Sequence, residues 1–323
     1  MLAIQAERAG GPEVLSAVER PESTPGPGQI LIRQEAVGLN FIDTYQRSGL
    51  YPIPYPSILG LEGSGVVEAI GPGVTRFVIG DRAGYATGPL GAYSQAHVVP
   101  EGRAVRLPAG IDSRTAAASM LKGMTAEFLI RRCFPVAAGD AVLIHAAAGG
   151  VGLILAQWAR SIGALVIGTA GSDAKAQLAL GHGCDHVILY DREDVAKQVR
   201  TLTDGAGVRV VYDGVGAATL EGSLGSLGRR GMLVSYGNAS GPVPAIEPLR
   251  LSRGGSLFLT RPTLFDYVAT TADLDDSAGA LFDVIASGAV KIAIGAEFPL
   301  SEARAAHETI EGRGTTGSTL LIP

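Results

Sequence analysis

The feature that most constrains this sequence is an alternation of strand-like and helix-like patterns between about residues 123 and 262. Apolar runs of strand length occur at residues 141–146, 165–169, 186–189, 208–212 and 231–236, and the clearest helical patterns cover residues 151–162 and 173–180. Strands that alternate with helices indicate a parallel sheet with right-handed crossovers. The middle of the chain is therefore predicted to be a doubly wound α/β domain.

The segments on either side of this region have a different pattern. Before it, short alternating runs at residues 30–37 and 65–70 are bounded by Gly/Pro turns, which is typical of a small barrel or sandwich. After it, a helix is predicted near residues 277–285 and a strand at residues 318–322. The sequence thus predicts a β-rich domain beside the α/β domain.

A glycine-rich turn joins the first strand of the alternating region to its first helix. The segment AAGGVG at residues 147–152 belongs to a chain with 45 glycines among 323 residues. Small residues let the backbone turn tightly and approach a diphosphate, whose charge the helix N-terminus favours. Because strand, turn and helix coincide, we predict a dinucleotide site. A purely structural turn in another doubly wound fold is the alternative.

The end of the second strand bears on which dinucleotide is bound. An NAD site usually places an acidic residue there for the ribose hydroxyls, but this strand runs into Gly171 and Ser172. We interpret Asp173 as the N-cap of the next helix. Lys175 is within reach of a 2′-phosphate, although a lysine taken alone is more often a solvated helix residue. These residues favour NADPH over NADH.

Charge and cysteine content exclude several other classes of protein. Lys and Arg number 26 against 31 Asp and Glu, a formal charge of −5 without a basic run, so nucleic-acid binding is not expected. No apolar stretch reaches about 18 residues, and residues 1–8 do not resemble a signal peptide. Cys133 and Cys184 cannot form a disulfide framework, and the expected location is the cytoplasm.

Several motifs along the chain match those of a known family. The signature GDxxLxxxAAGGxGxxxxQxxR spans residues 139–160, and further matching blocks are GLNFIDTY at 38–45, RSGLYP at 47–52, LKGMT at 121–125, VVYDxVG at 210–216, LTRP at 259–262 and GSTLLIP at 317–323. In these motifs the sequence resembles the quinone oxidoreductase/ζ-crystallin family of the medium-chain dehydrogenase/reductase superfamily, and the resemblance runs from one end of the chain to the other.

This resemblance implies a Rossmann domain inserted in a GroES-like β-barrel catalytic domain. The catalytic domain would comprise residues 1–122 plus 263–323, and the NADPH-binding domain residues 123–262. The implied cofactor contacts are Ile42, Asp43, Thr44, Tyr45, Gly150, Val151, Gly171, Ser172, Asp173, Ala174, Lys175, Tyr190, Tyr236, Gly237, Asn238, Ala239, Arg261, Pro262, Thr263 and Arg313. Lys175, Tyr190 and Arg313 would surround the 2′-phosphate.

The resemblance also bears on metal chemistry. Zinc-dependent relatives hold the metal with cysteine and histidine at positions that match Asn40 and Leu61 here, and neither residue can replace those ligands. A zinc-independent enzyme is expected. We predict that Asn40 and Tyr51 hydrogen-bond the substrate carbonyl in a cleft between the domains; a loop role for Asn40 and a lid role for Tyr51 stay open. Lys122 is interpreted as a tether at the domain junction rather than a general base.

Reduction of quinones is the leading functional hypothesis, because a quinone accepts hydride without a Lewis acid. Reduction of α,β-unsaturated aldehydes or ketones is a close alternative. A non-enzymatic NADPH-binding role, crystallin-like or RNA-binding, is a third, and a zinc alcohol dehydrogenase is the least favoured. The apolar strand at residues 256–259 and the family resemblance predict a homodimer joined at a sheet edge.

Overall fold

The computed structural model describes residues 1–312 and 314–323, which form two compact units. The first unit comprises Met1–Met124, Val268–Ala286 and Ile292–Pro323, and the second Thr125–Tyr267 and Ser287–Lys291. The domain limits predicted from sequence, after residues 122 and 262, stay a prediction. Among the described residues, every helix is too short or too polar to cross a membrane.

The strands are β1 (Leu2–Ala6), β2 (Leu15–Glu19), β3 (Gln29–Leu39), β4 (Ser57–Ile58), β5 (Glu62–Ile70), β6 (Arg82–Tyr85), β7 (Ala96–Pro100), β8 (Val105–Arg106), β9 (Ala141–Ile144), β10 (Leu165–Ala170), β11 (His186–Leu189), β12 (Val208–Asp213), β13 (Leu227–Ser235), β14 (Phe258–Thr260), β15 (Ile294–Pro299) and β16 (Ser318–Ile322). Strands β1–β8, β15 and β16 belong to the first unit and β9–β14 to the second.

The α-helices are α1 (Phe41–Ser48), α2 (Ser113–Phe128), α3 (Gly150–Ile162), α4 (Asp173–Leu180), α5 (Val195–Leu202), α6 (Leu220–Ser226), α7 (Pro248–Arg253), α8 (Leu264–Tyr267), α9 (Thr271–Ala286) and α10 (Ala303–Glu311). The division between the units falls within α2. Three single turns of 3₁₀ helix, at Pro12–Val14, Glu101–Arg103 and Leu300–Glu302, and a π-helical turn at Leu129–Cys133 complete the described helical structure.

Strand β3 is the centre of the first unit. It pairs antiparallel with β5, β7 and β16, in a sheet ordered β15-β16-β3-β5-β6-β8. Alternate residues such as Ile30 and Ile32 are fully buried, as expected for a strand with one face on a core. Since β16 lies next to β3, residues from both ends of the chain build this unit.

The second unit contains a parallel sheet ordered β11-β10-β9-β12-β13-β14. The chain enters at β9, winds outward to β11, and then returns to build β12–β14 on the other side. Consecutive crossovers therefore leave the sheet in opposite directions at β9 and β12, the switch point where doubly wound sheets bind ligands. The predicted doubly wound α/β fold is confirmed.

Candidate active site

The predicted cofactor residues of the second unit all lie beyond the carboxyl ends of its strands. Because every strand of this sheet is parallel, these ends share one edge. Gly150 and Val151 follow β9, Gly171, Ser172, Asp173, Ala174 and Lys175 follow β10, Tyr190 follows β11, Tyr236, Gly237, Asn238 and Ala239 follow β13, and Arg261, Pro262 and Thr263 follow β14. The structure thus brings residues that are far apart in sequence to one sheet edge.

The turn between β9 and α3 has the close packing that a dinucleotide site requires. A Cβ atom on Gly152 would lie 2.5 Å from the Ala146 carbonyl oxygen and 2.8 Å from the Ala147 Cα, so only glycine fits without moving the backbone. Ala146 itself has a φ of 51°, which completes the turn. The first-turn N–H groups of α3 lack intrahelical acceptors and carry the positive end of the helix dipole. These groups fit a diphosphate.

A buried chain of hydrogen bonds connects the strand ends next to this turn. The Ser223 hydroxyl donates to Asp213 Oδ2 at 2.7 Å, so Ser223 Oγ accepts from His145 Nε2 at 3.0 Å. His145 Nδ1 then accepts from the Thr169 hydroxyl, also at 3.0 Å. Burial lowers the pKa of His145, which agrees with a neutral ring. The chain links the ends of β9, β10 and β12, the strands around the switch point.

The tip of β10 contains the predicted 2′-phosphate site. A Cβ on Gly171 would lie 2.3 Å from the Tyr190 hydroxyl, so Tyr190 packs directly against the backbone there. The N-cap of α4 is Ser172, whose hydroxyl accepts from the Lys175 N–H at 3.4 Å. The interpretation of Asp173 as the N-cap is therefore wrong, because Ser172 is the N-cap and Asp173 is the first residue of the helix.

One cation at this tip was missed from sequence. Arg192, two residues after Tyr190, binds both carboxylate oxygens of Asp173 at 3.1 and 3.4 Å on the protein surface. The signal was available, since Arg192 follows β11 at the same edge. Asp173 is thus neutralised by an arginine. The third predicted phosphate contact, Arg313, lies outside the described residues.

The segment after β13 packs against the segment after β12. A Cβ on Gly237 would lie 2.3 Å from the Gly214 carbonyl oxygen, so the two backbones touch. Arg261 Nη1 donates to the carbonyls of Ser235 and Gly237, both at 2.9 Å. Arg261 therefore fixes the loop after β13 to the end of β14, and its predicted contact with the cofactor stays a prediction.

In the first unit, Asn40 belongs to a buried polar cluster. It precedes α1, and its backbone N–H donates to Asp43 Oδ2 at 2.8 Å. Its side-chain Nδ2 donates to Glu62 Oε2 at 2.8 Å and approaches the Gly38 carbonyl at 3.4 Å. Lys122 forms an ion pair with the same Glu62 oxygen at 3.3 Å. The predicted substrate contact of Asn40 stays a prediction, since its amide hydrogens face protein acceptors here.

A directed chain of hydrogen bonds runs through the interior from Arg47 to Asp43. Arg47 Nη1 lies 3.0 Å from His307 Nδ1, and because a guanidinium only donates, Nδ1 accepts. His307 Nε2–H therefore donates to the Tyr93 oxygen at 3.0 Å, and the Tyr93 hydroxyl donates to Asp43 Oδ2 at 3.0 Å. Both ends of this relay lie on α1, one helical turn apart.

Burial has opposite effects on the pKa values of two members of this relay, Asp43 and His307. Loss of solvation raises the pKa of Asp43 to about 7, against its hydrogen bonds to Asn40 and Tyr93, and Lys122 and Glu62 act on it with opposite signs. Loss of solvation and the charge of Arg47 lower the pKa of His307 to about 3. In the described part of the chain, Asp43 Oδ1 has no hydrogen-bond partner.

The other predicted site residues of the first unit lie on α1 or pack against it. Tyr51 is half-buried, its ring packs edge-on to Tyr45 with centroids 5.2 Å apart, and its N–H donates to the Tyr45 carbonyl at 3.0 Å. Thr44 and Tyr45 are buried and Ile42 is partly buried. Asn40, Ile42, Asp43, Thr44, Tyr45 and Tyr51 are thus brought together within this unit.

Comparison with known families identifies both units. A model of the alcohol dehydrogenase GroES-like domain matches residues 26–109, and a model described as zinc-binding dehydrogenase matches residues 150–282. A GroES-like unit joined in one chain to a doubly wound nucleotide sheet defines a medium-chain dehydrogenase/reductase.

Relatives that match over their full length show to which family of this superfamily the chain belongs. A quinone oxidoreductase of Pseudomonas aeruginosa is 52% identical over 321 residues, 99% of each chain. The structure of Escherichia coli quinone oxidoreductase complexed with NADPH is 47% identical, covers 100% of both chains and has a TM-score of 0.98. A 2-haloacrylate reductase of a Burkholderia species is 43% identical, over 100% of this chain and 99% of its own. The chain belongs to the quinone oxidoreductase family, which confirms the predicted family.

The residues of this chain do not fit the zinc ion that the second family model names. At the two positions expected to hold ligands, Leu61 has no donor atom, and Asn40 directs its amide hydrogens at Glu62 and Gly38. Within residues 1–312 and 314–323, there is no group of three or more His, Cys, Asp or Glu side chains that could hold a metal ion. No step of the chemistry below involves zinc.

Proposed function

We propose that this chain is a zinc-independent, NADPH-dependent quinone reductase. The observation that carries the proposal is the combination of a dinucleotide-binding sheet edge with a polar cluster, around Asn40, that lacks a metal-binding set of donors. A simple carbonyl needs a Lewis acid to stabilise the alkoxide that forms, whereas a quinone spreads the incoming charge through conjugation. The quinone oxidoreductases among its full-length relatives support the same activity.

NADPH fits the residues at the sheet edge. When bound, it supplies a hydride, and the second proton of the hydroquinone comes from water. The first turn of α3 would hold the diphosphate, with Gly152 allowing the close approach. Lys175, Tyr190 and Arg192 would hold the 2′-phosphate. In the first unit, Tyr51 would donate a hydrogen bond to the substrate oxygen and exclude water with its ring.

Steady-state oxidation of NADPH tests this activity directly. We expect rapid turnover with 1,4-naphthoquinone and slow turnover with a 2-alkenal of similar size. The second candidate, reduction of a conjugated C=C bond, is favoured by the relationship to a 2-haloacrylate reductase and predicts the reverse order. Absence of NADPH oxidation with both acceptors, together with salt-sensitive RNA binding that NADPH displaces, would instead support a non-enzymatic role.

The cofactor assignment predicts a specific effect of Lys175→Ala. A lysine that pairs with the 2′-phosphate contributes about 1.5–3 kcal/mol, so NADPH affinity should fall about 10- to 100-fold and NADH affinity should stay unchanged. Titration of both nucleotides measures this. Lys197→Ala, which removes an exposed lysine of α5 in the same unit, is the matched control and should change neither affinity. An equal loss of both affinities would contradict the assignment.

We further propose a homodimer joined at strand β14 and a cytoplasmic location. Strand β14 is the last strand of its sheet, and Phe258 and Leu259 on it are 55% and 39% exposed. An exposed apolar edge strand is a site for pairing with a second copy. Sedimentation of the protein as a monomer would contradict the dimer. The cytoplasmic location rests on Cys133 and Cys184, which are both free thiols.

A further inference from the structure

Lys122 holds a buried positive charge beside Asn40. Only 6% of the residue is exposed, and its ammonium lies 3.3 Å from Glu62 Oε2. An ammonium has three N–H donors, and Glu62 is the one hydrogen-bond partner that the structure gives it among the described residues. Lys122 therefore keeps donor capacity that the ion pair does not use.

Glu62 fixes the position of that charge. This carboxylate is completely buried, and its Oε1 accepts the Leu121 N–H at 2.7 Å. Its Oε2 accepts from both Asn40 and Lys122. A Cβ on Gly38 would lie 2.1 Å from Oε2, so the carboxylate reaches this place only because residue 38 is glycine. The ammonium is consequently held by a carboxylate whose position is fixed by two other donors, the Leu121 N–H and Asn40 Nδ2, and by the close backbone of Gly38.

The same contacts limit what Asn40 can do. Its Nδ2 has two hydrogens, and they face Glu62 Oε2 at 2.8 Å and the Gly38 carbonyl at 3.4 Å. The charged Glu62 acceptor sets the orientation of the amide, because turning it would bring two oxygens together. Within this cluster, the donor with spare capacity is therefore Lys122 and not Asn40.

Reduction of a quinone places negative charge on an oxygen of the acceptor. Hydride transfer adds two electrons and one proton, leaving one oxygen as an anion until it takes a proton from water. We propose that the Lys122 ammonium, held by Glu62 beside Asn40, faces this oxygen and stabilises its negative charge. The inference rests on the proposed function, and it gives the site a built-in cation in place of a metal.

A series of quinones of decreasing electrophilicity tests the proposal. Lys122→Met should lower kcat/KM about 100-fold for the weakest acceptor and less than about 10-fold for the strongest, which delocalises its own charge. Lys122→Arg, which retains the positive charge, should restore most of the loss. If Lys122 had only a structural role, Lys122→Met would lower kcat/KM by the same factor for every quinone, and that result would overturn the proposal.

Lys122→Met leaves Glu62 buried without a cation, so it can also impair folding. A second pair of variants, both carrying Glu62→Gln, separates the effect on catalysis from the effect on folding. Glu62→Gln retains Lys122, whereas the double variant Glu62→Gln/Lys122→Met removes both charges. Comparing these two should again show the larger loss with weaker acceptors. Recovery of the wild-type profile by the double variant would mean that Lys122 only neutralises Glu62, and would overturn the proposal.

Binding provides a readout that does not depend on turnover. For the NADP⁺-saturated protein, Lys122→Met should weaken binding of 4-nitrophenolate about tenfold and leave binding of neutral 4-nitroanisole unchanged. Equal effects on both probes would contradict the role of Lys122. If the wild-type protein fails to reduce any quinone, the proposed function fails, but this pair of probes still shows whether the ammonium faces an oxygen anion.

Discussion

Arg47→Met is expected to lower the free energy of unfolding by about 3 kcal/mol, because it leaves one buried and three part-buried acceptors without a donor. Arg47 is 2% exposed and donates to His307 Nδ1 at 3.0 Å and to the Gly10 carbonyl at 3.1 Å. It also binds both carboxylate oxygens of Glu311, at 2.7 and 3.0 Å. Urea unfolding of the two proteins at one pH measures the difference.

Arg304→Met is the matched control, since it removes an arginine from an ion pair on α10. Arg304 binds Glu308 at 3.0 Å, and their side chains are 59% and 53% exposed. Exposed pairs of this kind contribute about 0.5 kcal/mol or less on a helix surface. If Arg47→Met cost no more than Arg304→Met, the relay through His307 would not stabilise the first unit.

The second unit could be predicted well from sequence because its signals are local. The predicted limits of α4 and β11 in this unit match the structure residue for residue, as do those of β16 in the first unit. The start of β13 was placed four residues late, at residue 231 instead of Leu227, because Gly228, Arg229 and Arg230 interrupt the apolar run. The structure keeps these residues in the strand, where a Cβ on Gly228 would lie 2.7 Å from the Ala206 carbonyl oxygen.

The cofactor edge was predictable for the same reason, since each of its segments directly follows a strand. Contacts between distant segments were not. Glu62 meets Lys122 only through tertiary packing, and no periodicity links these residues. Sequence reasoning assigned no role to Glu62 and treated Lys122 as a tether at the domain junction. It did not predict their ion pair.

The relay between Arg47 and Asp43 is a second set of contacts that the sequence could not predict. Its four residues come from α1, from the segment between β6 and β7, and from α10, and His307 lies 260 residues from Arg47 in sequence. Nothing in the sequence indicated a contact between His307 and Arg47. Asp43 accepts a hydrogen bond from the Asn40 N–H at the start of α1, but nothing in the sequence indicated that burial would raise its pKa to about 7.

The relay predicts opposite pH dependences for two variants, Asp43→Asn and His307→Gln. The folded chain binds a proton at Asp43 between about pH 4 and 7 that the unfolded chain does not bind, because burial raises the pKa of Asp43 to about 7. Its contribution to stability is therefore lost as the pH rises. One bound proton changes the free energy of unfolding by about 1.4 kcal/mol per pH unit. Relative to the wild type, the free energy of unfolding of Asp43→Asn should therefore rise by about 3 kcal/mol from pH 5 to pH 8.

His307 has the opposite sign. Burial and Arg47 lower the pKa of His307 to about 3, so between that pH and about 6.5 only the unfolded chain binds the proton. Its contribution is present above about pH 6.5 and is lost as the pH falls. Relative to the wild type, the free energy of unfolding of His307→Gln should therefore rise by about 2 kcal/mol from pH 8 to pH 5.

Chemical denaturation of the wild type and both variants at pH 5 and pH 8 measures these differences. The constant cost of each substitution cancels, because only the change with pH is compared. The double variant should show a nearly flat difference from wild type, since the two effects have opposite signs. His97, whose pKa burial lowers to about 4, titrates in all of these proteins and also cancels. Parallel pH profiles of the wild type and both single variants would show that burial shifts the pKa of neither Asp43 nor His307.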